Sequence, residues 1–321
     1  MNILVTGGCG FIGHNVVQTL EQLKHTVAVV DNKTTYGIIP QAEIDYLLSE
    51  RSKKINSAVH TTSIENAYAV ELAVKKHTPD VIVHMASFPR QKVVNSNPAW
   101  GSRTMMEGLF NLLESAKKHR VRRFVYISSS MVYGNFDNDV VESAVCNPEG
   151  QYGIMKLAGE WLVKDYARRT GMEVVIVRPS AVYGPLDVED RVVAKFMLTA
   201  MRGGELSVNG PDEALDFTYV TDLAAGIVQS ALSDSAPGNT YNLTRSQSVT
   251  LLEAAETIVE IVGSGTIRVN DRDLNFPSRG SLNIDAARRD LNFNPTVNVA
   301  EGFERYYESL SNSVYWSTKT V

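Results

Sequence analysis

The sequence has few cysteines, no long apolar run and no excess of positive charge, and each absence excludes a class of protein. Only Cys9 and Cys146 occur among 321 residues, which excludes a disulfide framework and gives no metal-ligand spacing. No apolar run could span a bilayer and no basic leader precedes the first apolar segment, so we expect a soluble cytoplasmic protein without a membrane partner. The formal charge of -5 creates no field that would attract nucleic acid, and we expect no such partner.

A glycine-rich stretch near the start of the chain carries the strongest positive signal. Gly7, Gly10 and Gly13 lie between an apolar run and an amphipathic one, which is the context of a strand, a tight turn and a helix. Such a turn lets the backbone approach a pyrophosphate, which the free N–H groups of the helix N-terminus then bind. The next apolar run ends in Asp31, at roughly the 20-residue offset of a carboxylate that holds a ribose diol. Because this carboxylate would repel a 2′-phosphate, we predict NAD rather than NADP.

Alternating strand-like and helix-like segments from Met1 to about Arg178 predict an α/β fold. Most of the strand-like segments are continuous apolar runs, as in strands that are buried on both faces. We therefore expect a doubly wound parallel sheet of the Rossmann type. The predicted strands are residues 3–6, 26–31, 55–59, 81–84, 123–128 and 173–177, and the predicted helices are 10–23, 64–77, 99–119 and 152–170.

Beyond Arg178 the pattern becomes irregular and richer in glycine and proline, which predicts a smaller, mixed α/β substrate domain. Helices are expected over 191–201, 251–262, 285–291 and 299–310. We assign residues 1–178 and about 216–244 to an NAD-binding domain, and about 179–215 and 245–321 to the substrate domain.

Three residues have the chemistry of a proton-transfer site. Tyr152 and Lys156 are four residues apart at the start of a predicted helix, so their side chains share one face. A phenol has an unperturbed pKa of about 10, and an adjacent ammonium and an oxidised nicotinamide would both favour the phenolate. Ser129 follows a predicted buried strand and so lies at the carboxyl edge of the sheet, where ligands bind in such folds. We predict that all three are catalytic, with Tyr152 as the base.

The ordered motifs resemble the extended short-chain dehydrogenase/reductases, and more narrowly their NAD-dependent nucleotide-sugar epimerase/dehydratase branch. The likeness rests on Gly7-x-x-Gly10-x-x-Gly13, Asp31, His84-Met85-Ala86-Ser87, the stretch from Ser128 to Gly134, Tyr152-x-x-x-Lys156, and the stretch from Arg178 to Pro185. It implies NAD contacts at Gly7, Gly10, Phe11, Ile12, Gly13, Asp31, Asn32, Ser63, Ile64, Met85, Ala86, Ser87, Ser128, Tyr152, Lys156 and Pro179.

The same resemblance implies that the substrate is a nucleotide-diphosphate sugar. We expect no metal site, because no clustered His, Asp or Glu surrounds His84 in the sequence. Ala181 stands where the family usually has an asparagine that contacts the diphosphate, so other donors must neutralise it. Arg191 and Arg279 are our candidates, because guanidinium groups suit phosphate oxygens. The expected substrate contacts are Ser130, Ala181, Arg191, Leu206, Val208 and Arg279.

Family behaviour implies that Tyr152 takes a proton from a sugar hydroxyl, usually at C4, while the sugar carbon passes hydride to NAD. In the similar 4,6-dehydratases an acidic pair stands at the positions of Ser130 and Met131, and neither residue here is a carboxyl acid. The decarboxylating relatives usually have a glutamate in place of Met131 and an arginine in place of Leu215. We expect a 4-epimerase with tightly bound NAD. The alternatives are a 4-ketoreductase or 4-dehydrogenase, then a 4,6-dehydratase or decarboxylase, and, from a different class, a non-catalytic NAD-binding regulator.

Two of the predicted helices have unusually wide apolar surfaces. They cover residues 99–119 and 152–170. A surface of that width suggests burial on two sides, and contact with a second subunit would supply one of them. We therefore predict a homodimer that forms through these two helices.

Overall fold

Parallel strands organise the chain in the computed structural model, which describes residues 1–34, 39–88 and 90–317. The strands of the described residues are β1 Asn2–Thr6, β2 Thr26–Asp31, β3 Ala58–Thr61, β4 Val81–His84, β5 Arg123–Ile127, β6 Glu173–Pro179, β7 Val182–Tyr183, β8 Glu205–Asn209, β9 Ala214–Asp216, β10 Thr218–Tyr219, β11 Thr240–Leu243, β12 Ser248–Thr250 and β13 Thr266–Asn270. Seven of them form one sheet in the order β11-β6-β5-β4-β1-β2-β3, and every pairing within this sheet is parallel. The other six form three small two-stranded sheets.

Helices cover both faces of this sheet, so the predicted doubly wound α/β fold is confirmed. They are α1 Phe11–Gln22, α2 Gln41–Ser52, α3 Ala67–His77, α4 Gln91–Ser96, α5 Pro98–Ser102, α6 Gly108–Lys118, α7 Gly150–Thr170, α8 Val192–Met201, α9 Val220–Leu232, α10 Leu251–Val262, α11 Asp285–Leu291, α12 Val299–Ser311 and α13 Val314–Ser317. A π-helical turn, Arg103–Glu107, joins α5 to α6, and a 3₁₀ turn, Ser130–Val132, follows β5.

The boundaries of several elements differ from the sequence prediction. The third strand covers 58–61 rather than 55–59, and α3 begins at Ala67 because the side chain of Asn66 caps it by accepting from the N–H of Ala69. The predicted helix 99–119 is divided into α5 and α6 by the π-helical turn. Helices α2 and α4 lie in segments for which no helix is predicted. In α2 the buried residues include Glu43 and Arg51, so the helix has little of the apolar periodicity that would identify it.

The three largest hydrophobic clusters of the described residues form the core of the protein. One packs α1, α9 and α11 on one face of the sheet, and the second packs α3, α6 and α7 on the other. The third includes residues of α8, α10 and α12 and lies under the irregular second half of the chain. The two-domain division remains a prediction. However, the residues around α11 (Ile284, Ala287, Leu291 and Phe293) pack with the sheet and not with the third cluster.

The two wide apolar helices are only partly covered within one chain. Leu109, Leu112 and Leu113 are buried against the sheet. Phe110, Trp161 and Ile154 remain exposed, with 66% of Trp161 accessible. This leaves an apolar surface of the kind that a second subunit would cover, and the homodimer stays a prediction. No helix within the described ranges is both long and apolar enough to cross a membrane.

Candidate active site

The glycine turn has the geometry of a pyrophosphate-binding loop. Gly7 has a φ of +75°, and a Cβ built on Gly13 would lie 2.0 Å from the carbonyl oxygen of Gly7, so only glycine fits there. The turn leads directly into α1, whose N-cap is Gly10 and which has no side-chain cap. Its first N–H groups are therefore available to an anion at the positive end of the helix dipole. Phe11 and Ile12 are half-buried in this first turn.

The strand order places this turn at the expected ligand crevice. β1 lies between β2 and β4, and in such sheets ligands bind where the strand order reverses. The loop after β4 closes the other side, because the N–H of Ala86 donates to Oγ1 of Thr6 at 3.2 Å and the N–H of Met85 to the Thr6 carbonyl at 3.1 Å. Met85, Ala86 and Ser87 are all half-buried beside the turn. The two loops together form the edge along which a dinucleotide would lie.

Asp31 ends β2 beside the turn and ties the two together. One carboxylate oxygen accepts from the N–H of Cys9 at 2.9 Å and the other from the N–H of Lys33 at 2.7 Å. Burial raises the pKa of Asp31, and these two hydrogen bonds oppose that effect. The Cys9 thiol is buried and its pKa is raised to about 11, which makes it a poor nucleophile. Asp31 ends β2 next to the glycine turn, and its contact with the ribose stays a prediction.

Two of the predicted NAD contacts, Ser63 and Ile64, lie in a turn between β3 and α3. Oγ of Ser63 accepts from the N–H of Glu65, while the side chain of Ile64 is buried against Gly108. Asn111 on α6 holds the turn by donating to the carbonyls of Ile64 and Glu65 at 3.0 and 3.1 Å. On the opposite side of the turn, Oδ1 of Asn32 accepts from the N–H of Thr34.

The three predicted catalytic residues lie together at the carboxyl end of β5. Tyr152 is in the first turn of α7, and its hydroxyl forms a hydrogen bond with Ser129. Nζ of Lys156 donates to the carbonyl of Ile127 at 2.8 Å and lies 5.8 Å from the centroid of the Tyr152 ring. All three side chains are buried or nearly so.

Burial sets the protonation of this group differently from the sequence prediction. Desolvation raises the pKa of Tyr152, whereas the charge of Arg191 and the hydrogen bond with Ser129 lower it. Lys156, which the sequence prediction invoked, is not among the groups that shift this pKa. Desolvation also lowers the pKa of Lys156 to about 7, against the opposing charge of Glu160. Burial outweighs Arg191 and Ser129, so the protein alone favours the neutral phenol. An oxidised nicotinamide would act with Arg191 and Ser129 to favour the phenolate.

A buried ion pair behind the catalytic residues was not predicted. Glu160 lies on the same face of α7 as Lys156, one turn further on, and accepts two hydrogen bonds from Arg178 at 2.9 and 2.6 Å. Ser128 also donates to it at 2.6 Å, so its hydroxyl serves the pair and is not available to the cofactor. The spacing of 152, 156 and 160 at four-residue intervals is the sequence signal that could have identified Glu160.

Four of the predicted substrate contacts need correction or comment. The side chains of Leu206 and Val208 point into the third hydrophobic cluster, because β8 alternates buried and exposed residues, so neither side chain can contact a substrate. Ser130 is buried and donates to Ser180. Ala181 has a φ of +36°, in a region that asparagine tolerates better than alanine. Pro179, a predicted cofactor contact, ends β6 and is buried.

The two predicted arginines both lie near the catalytic residues. Nε of Arg191 is 3.9 Å from Oδ1 of Asp187, and its positive charge lowers the pKa of Tyr152. Arg279 extends toward Met131, with Nη1 3.9 Å from Sδ. Within the residues the structure describes, no group of three or more potential ligands is arranged to hold a metal ion.

These features define a dinucleotide-binding enzyme fold with a Ser-Tyr-Lys site at the sheet edge. The family model of the NAD dependent epimerase/dehydratase family matches residues 3–244, and the chain belongs to this family. It is accordingly an enzyme whose cofactor is NAD, and the crevice between the loops after β1 and β4 fits that group.

Known relatives cover nearly the whole chain but differ in reaction. The chain is 28% identical to an uncharacterized UDP-glucose epimerase, YtcB, of Bacillus subtilis (strain 168), over 97% of this chain and 98% of the relative. It is 30% identical to dTDP-glucose 4,6-dehydratase of Streptomyces niveus, over 98% and 94%. The structure matches UDP-glucuronic acid 4-epimerase of Bacillus cereus, in complex with UDP-glucuronic acid and NAD, with a TM-score of 0.88, 26% identity and coverage of 96% and 98%.

Proposed function

We propose that this enzyme is a nucleotide-sugar 4-epimerase that works through a transient 4-keto intermediate with tightly held NAD. The observation that carries the proposal is the catalytic group itself. Ser129, Tyr152 and Lys156 meet at the sheet edge, while the two positions after Ser129 hold a buried serine and a methionine. The site has a base for a hydroxyl proton and lacks, at those positions, the acid that elimination requires.

The protein's own groups divide the proton chemistry between them. Tyr152 as phenolate takes the proton from the C4 hydroxyl. Ser129, which is hydrogen-bonded to Tyr152, orients the substrate oxygen. Lys156, fixed to the Ile127 carbonyl, would hold the nicotinamide ribose. Bound NAD would supply the hydride acceptor and donor for the sugar carbon. Inversion requires the keto-sugar to rotate, so that the hydride is returned to the opposite face of C4. During this second transfer Tyr152 protonates the C4 oxygen.

The cofactor residues would act through backbone and carboxylate groups. Gly7, Gly10 and Gly13 let the backbone approach the pyrophosphate closely. Asp31 accepts hydrogen bonds from the ribose hydroxyls. The neighbours that bind UDP-glucose and UDP-glucuronic acid support a nucleotide-diphosphate sugar as the substrate class. A 4-ketoreductase or 4-dehydrogenase would use the same residues but exchange its cofactor in each turnover.

The test follows product stereochemistry and cofactor reduction together. Purified NAD-loaded enzyme is incubated with UDP-, GDP- and dTDP-hexoses, C4 configuration is read by NMR, and reduced nicotinamide is followed by its absorbance. Inversion at C4 without net NADH supports the epimerase, whereas stoichiometric NADH release would identify a dehydrogenase. Retained NAD with no turnover of any sugar would favour a non-catalytic binding protein.

Tyr152→Phe tests the base directly. Its rate should fall by about 100- to 10,000-fold, the usual contribution of a general base, while NAD still binds. Tyr166→Phe is the matched control, because Tyr166 is on the same helix and its hydroxyl donates to Glu114, away from the site. An unchanged rate in Tyr152→Phe would remove this residue from the mechanism.

A further inference from the structure

Arg279 is half-buried, with its Nε enclosed by the protein. Among the described residues it makes no ion pair with an acid, and its Nε has no hydrogen-bond partner. Its side-chain contact is with the sulfur of Met131, a weak acceptor. Withdrawing part of a guanidinium from water without a counter-charge is costly, and an anionic ligand would supply that charge.

The charged groups around Arg279 do not balance it. Glu213 is the nearest negative influence, but its carboxylate is held by Nε of Arg272 at 2.9 Å. Arg191 adds a second positive charge nearby. Burial and, to a smaller extent, the charge of Arg191 lower the pKa of Arg279 to about 10, so the guanidinium stays charged at neutral pH. An anionic substrate group is the missing partner.

Arg279 is positioned at the catalytic end of the site. The N–H of Met131 donates to Oγ of Ser129 at 3.2 Å, and Met131 packs in one hydrophobic cluster with Tyr152. The guanidinium is therefore one side chain away from the catalytic pair. Its backbone is fixed by a bridge to Phe136, to whose carbonyl the next residue donates at 2.9 Å.

The chemistry of a hexose ring decides which anion can reach this position. In a nucleotide-linked hexose the diphosphate is attached to C1, across the ring from C4. When the C4 hydroxyl is at Tyr152 and Ser129, the substituents nearest to the catalytic pair are those on C3 and C5. Of these, only C6, which is carried by C5, can be a carboxylate in a common sugar. The diphosphate lies toward the opposite end.

We propose that Arg279 binds the C6 carboxylate of a nucleotide-linked hexuronic acid, and that this acid is preferred over the neutral hexose. The inference rests on the proposed 4-epimerase function, because it places C4 at Tyr152. It replaces the expectation that Arg279 contacts the diphosphate. The planar guanidinium matches a carboxylate with two parallel hydrogen bonds, which gives specificity as well as affinity.

The test compares matched sugars on the NAD-loaded enzyme. Glucuronic acid and glucose, each linked to UDP, GDP or dTDP, are titrated by calorimetry and assayed for C4 inversion. A charge-assisted contact of this kind should favour the uronic acid by about 10- to 100-fold in binding and in kcat/KM. Equal binding of the acid and the neutral sugar with every nucleotide would overturn the inference.

Variants separate the carboxylate role from a diphosphate role. In Arg279→Gln the loss of binding should be larger for the uronic acid than for the neutral sugar, so that the preference falls to about one, and Arg279→Lys should retain part of the preference. Arg272→Gln, on the same segment but paired with Glu213, is the control and should keep the full preference. Circular dichroism confirms that each variant is folded. Equal losses for both sugars in Arg279→Gln would show a diphosphate contact and refute the inference.

The two proposals fail in different ways. A uronic acid preference that depends on Arg279, without C4 inversion, would refute the epimerase but support the carboxylate contact. Inversion of neutral and acidic sugars at equal rates would support the epimerase and refute the carboxylate contact.

Discussion

Replacement of Glu160 by glutamine breaks the buried ion pair behind Lys156, and the structure allows its cost to be stated. Glu160 is 0% exposed and Arg178 3%, and two N–H groups of the guanidinium donate to the two carboxylate oxygens. Glutamine offers one oxygen and places an amide N–H₂ against the cation. The variant therefore leaves Arg178 charged, buried and half-paired, a change that typically costs about 3–5 kcal/mol.

Urea unfolding followed by circular dichroism measures this loss. With an m value of about 3 kcal/mol/M, the midpoint should fall by about 1–1.7 M. Glu301→Gln is the matched control, since Glu301 pairs with Arg305 at 2.5 Å on the exposed face of α12, where such pairs contribute about 1 kcal/mol or less. A Glu160→Gln midpoint within the range of this control would refute the reasoning.

A double variant identifies the cause of the loss. Glu160→Met with Arg178→Met removes both charges and fills a similar volume, so it should be more stable than Glu160→Gln. The Ser128 hydroxyl then loses its acceptor, at a cost of about 1–3 kcal/mol, and full recovery is not expected. If the double variant were less stable than the single one, the unpaired cation would not be the cause.

Three further outcomes follow from other parts of the molecule. Gly13→Ala should weaken NAD binding by about 5- to 150-fold, because the new Cβ would overlap the Gly7 carbonyl oxygen. The amount of NAD that co-purifies with the variant measures this loss, and an occupancy equal to that of the wild type would contradict the prediction. Burial lowers the pKa of His14 to about 4 and of His84 to about 3, so the unfolded chain binds more protons below pH 6.5 and stability falls as the pH drops. Between pH 6.5 and about pH 5 the two imidazoles should lower the stability by about 3 kcal/mol, partly offset by the buried Asp216 carboxyl, whose pKa of about 6 stabilises the folded chain as the pH falls. In urea titrations, His14→Gln with His84→Gln should remove the loss that the imidazoles cause. Trp161→Arg should convert the predicted homodimer into a monomer in sedimentation velocity, and an unchanged mass would place the interface elsewhere.

Local patterns in the sequence are sufficient for the cofactor side of this protein. The glycine turn, the buried strands and Asp31 at the end of β2 lie within one continuous strand-turn-helix-strand unit, so spacing along the chain fixes their positions in space. The four-residue interval between Tyr152 and Lys156 likewise places both on one helix face. The alternation in β8 could also have shown that Leu206 and Val208 face the core.

Only the tertiary structure decided the remaining features of the site. Arg279 and Met131 are 148 residues apart, and nothing local in either segment indicates that the Nε of this arginine is enclosed there without a partner. The burial that raises the pKa of Tyr152 and lowers that of Lys156 also depends on elements packed from distant parts of the chain. The sequence by itself determined which cofactor this protein binds and predicted which groups would transfer the proton, because short-range spacing encodes both. The environment of those groups was decided by the fold, because desolvation and charge balance arise only when the chain is packed.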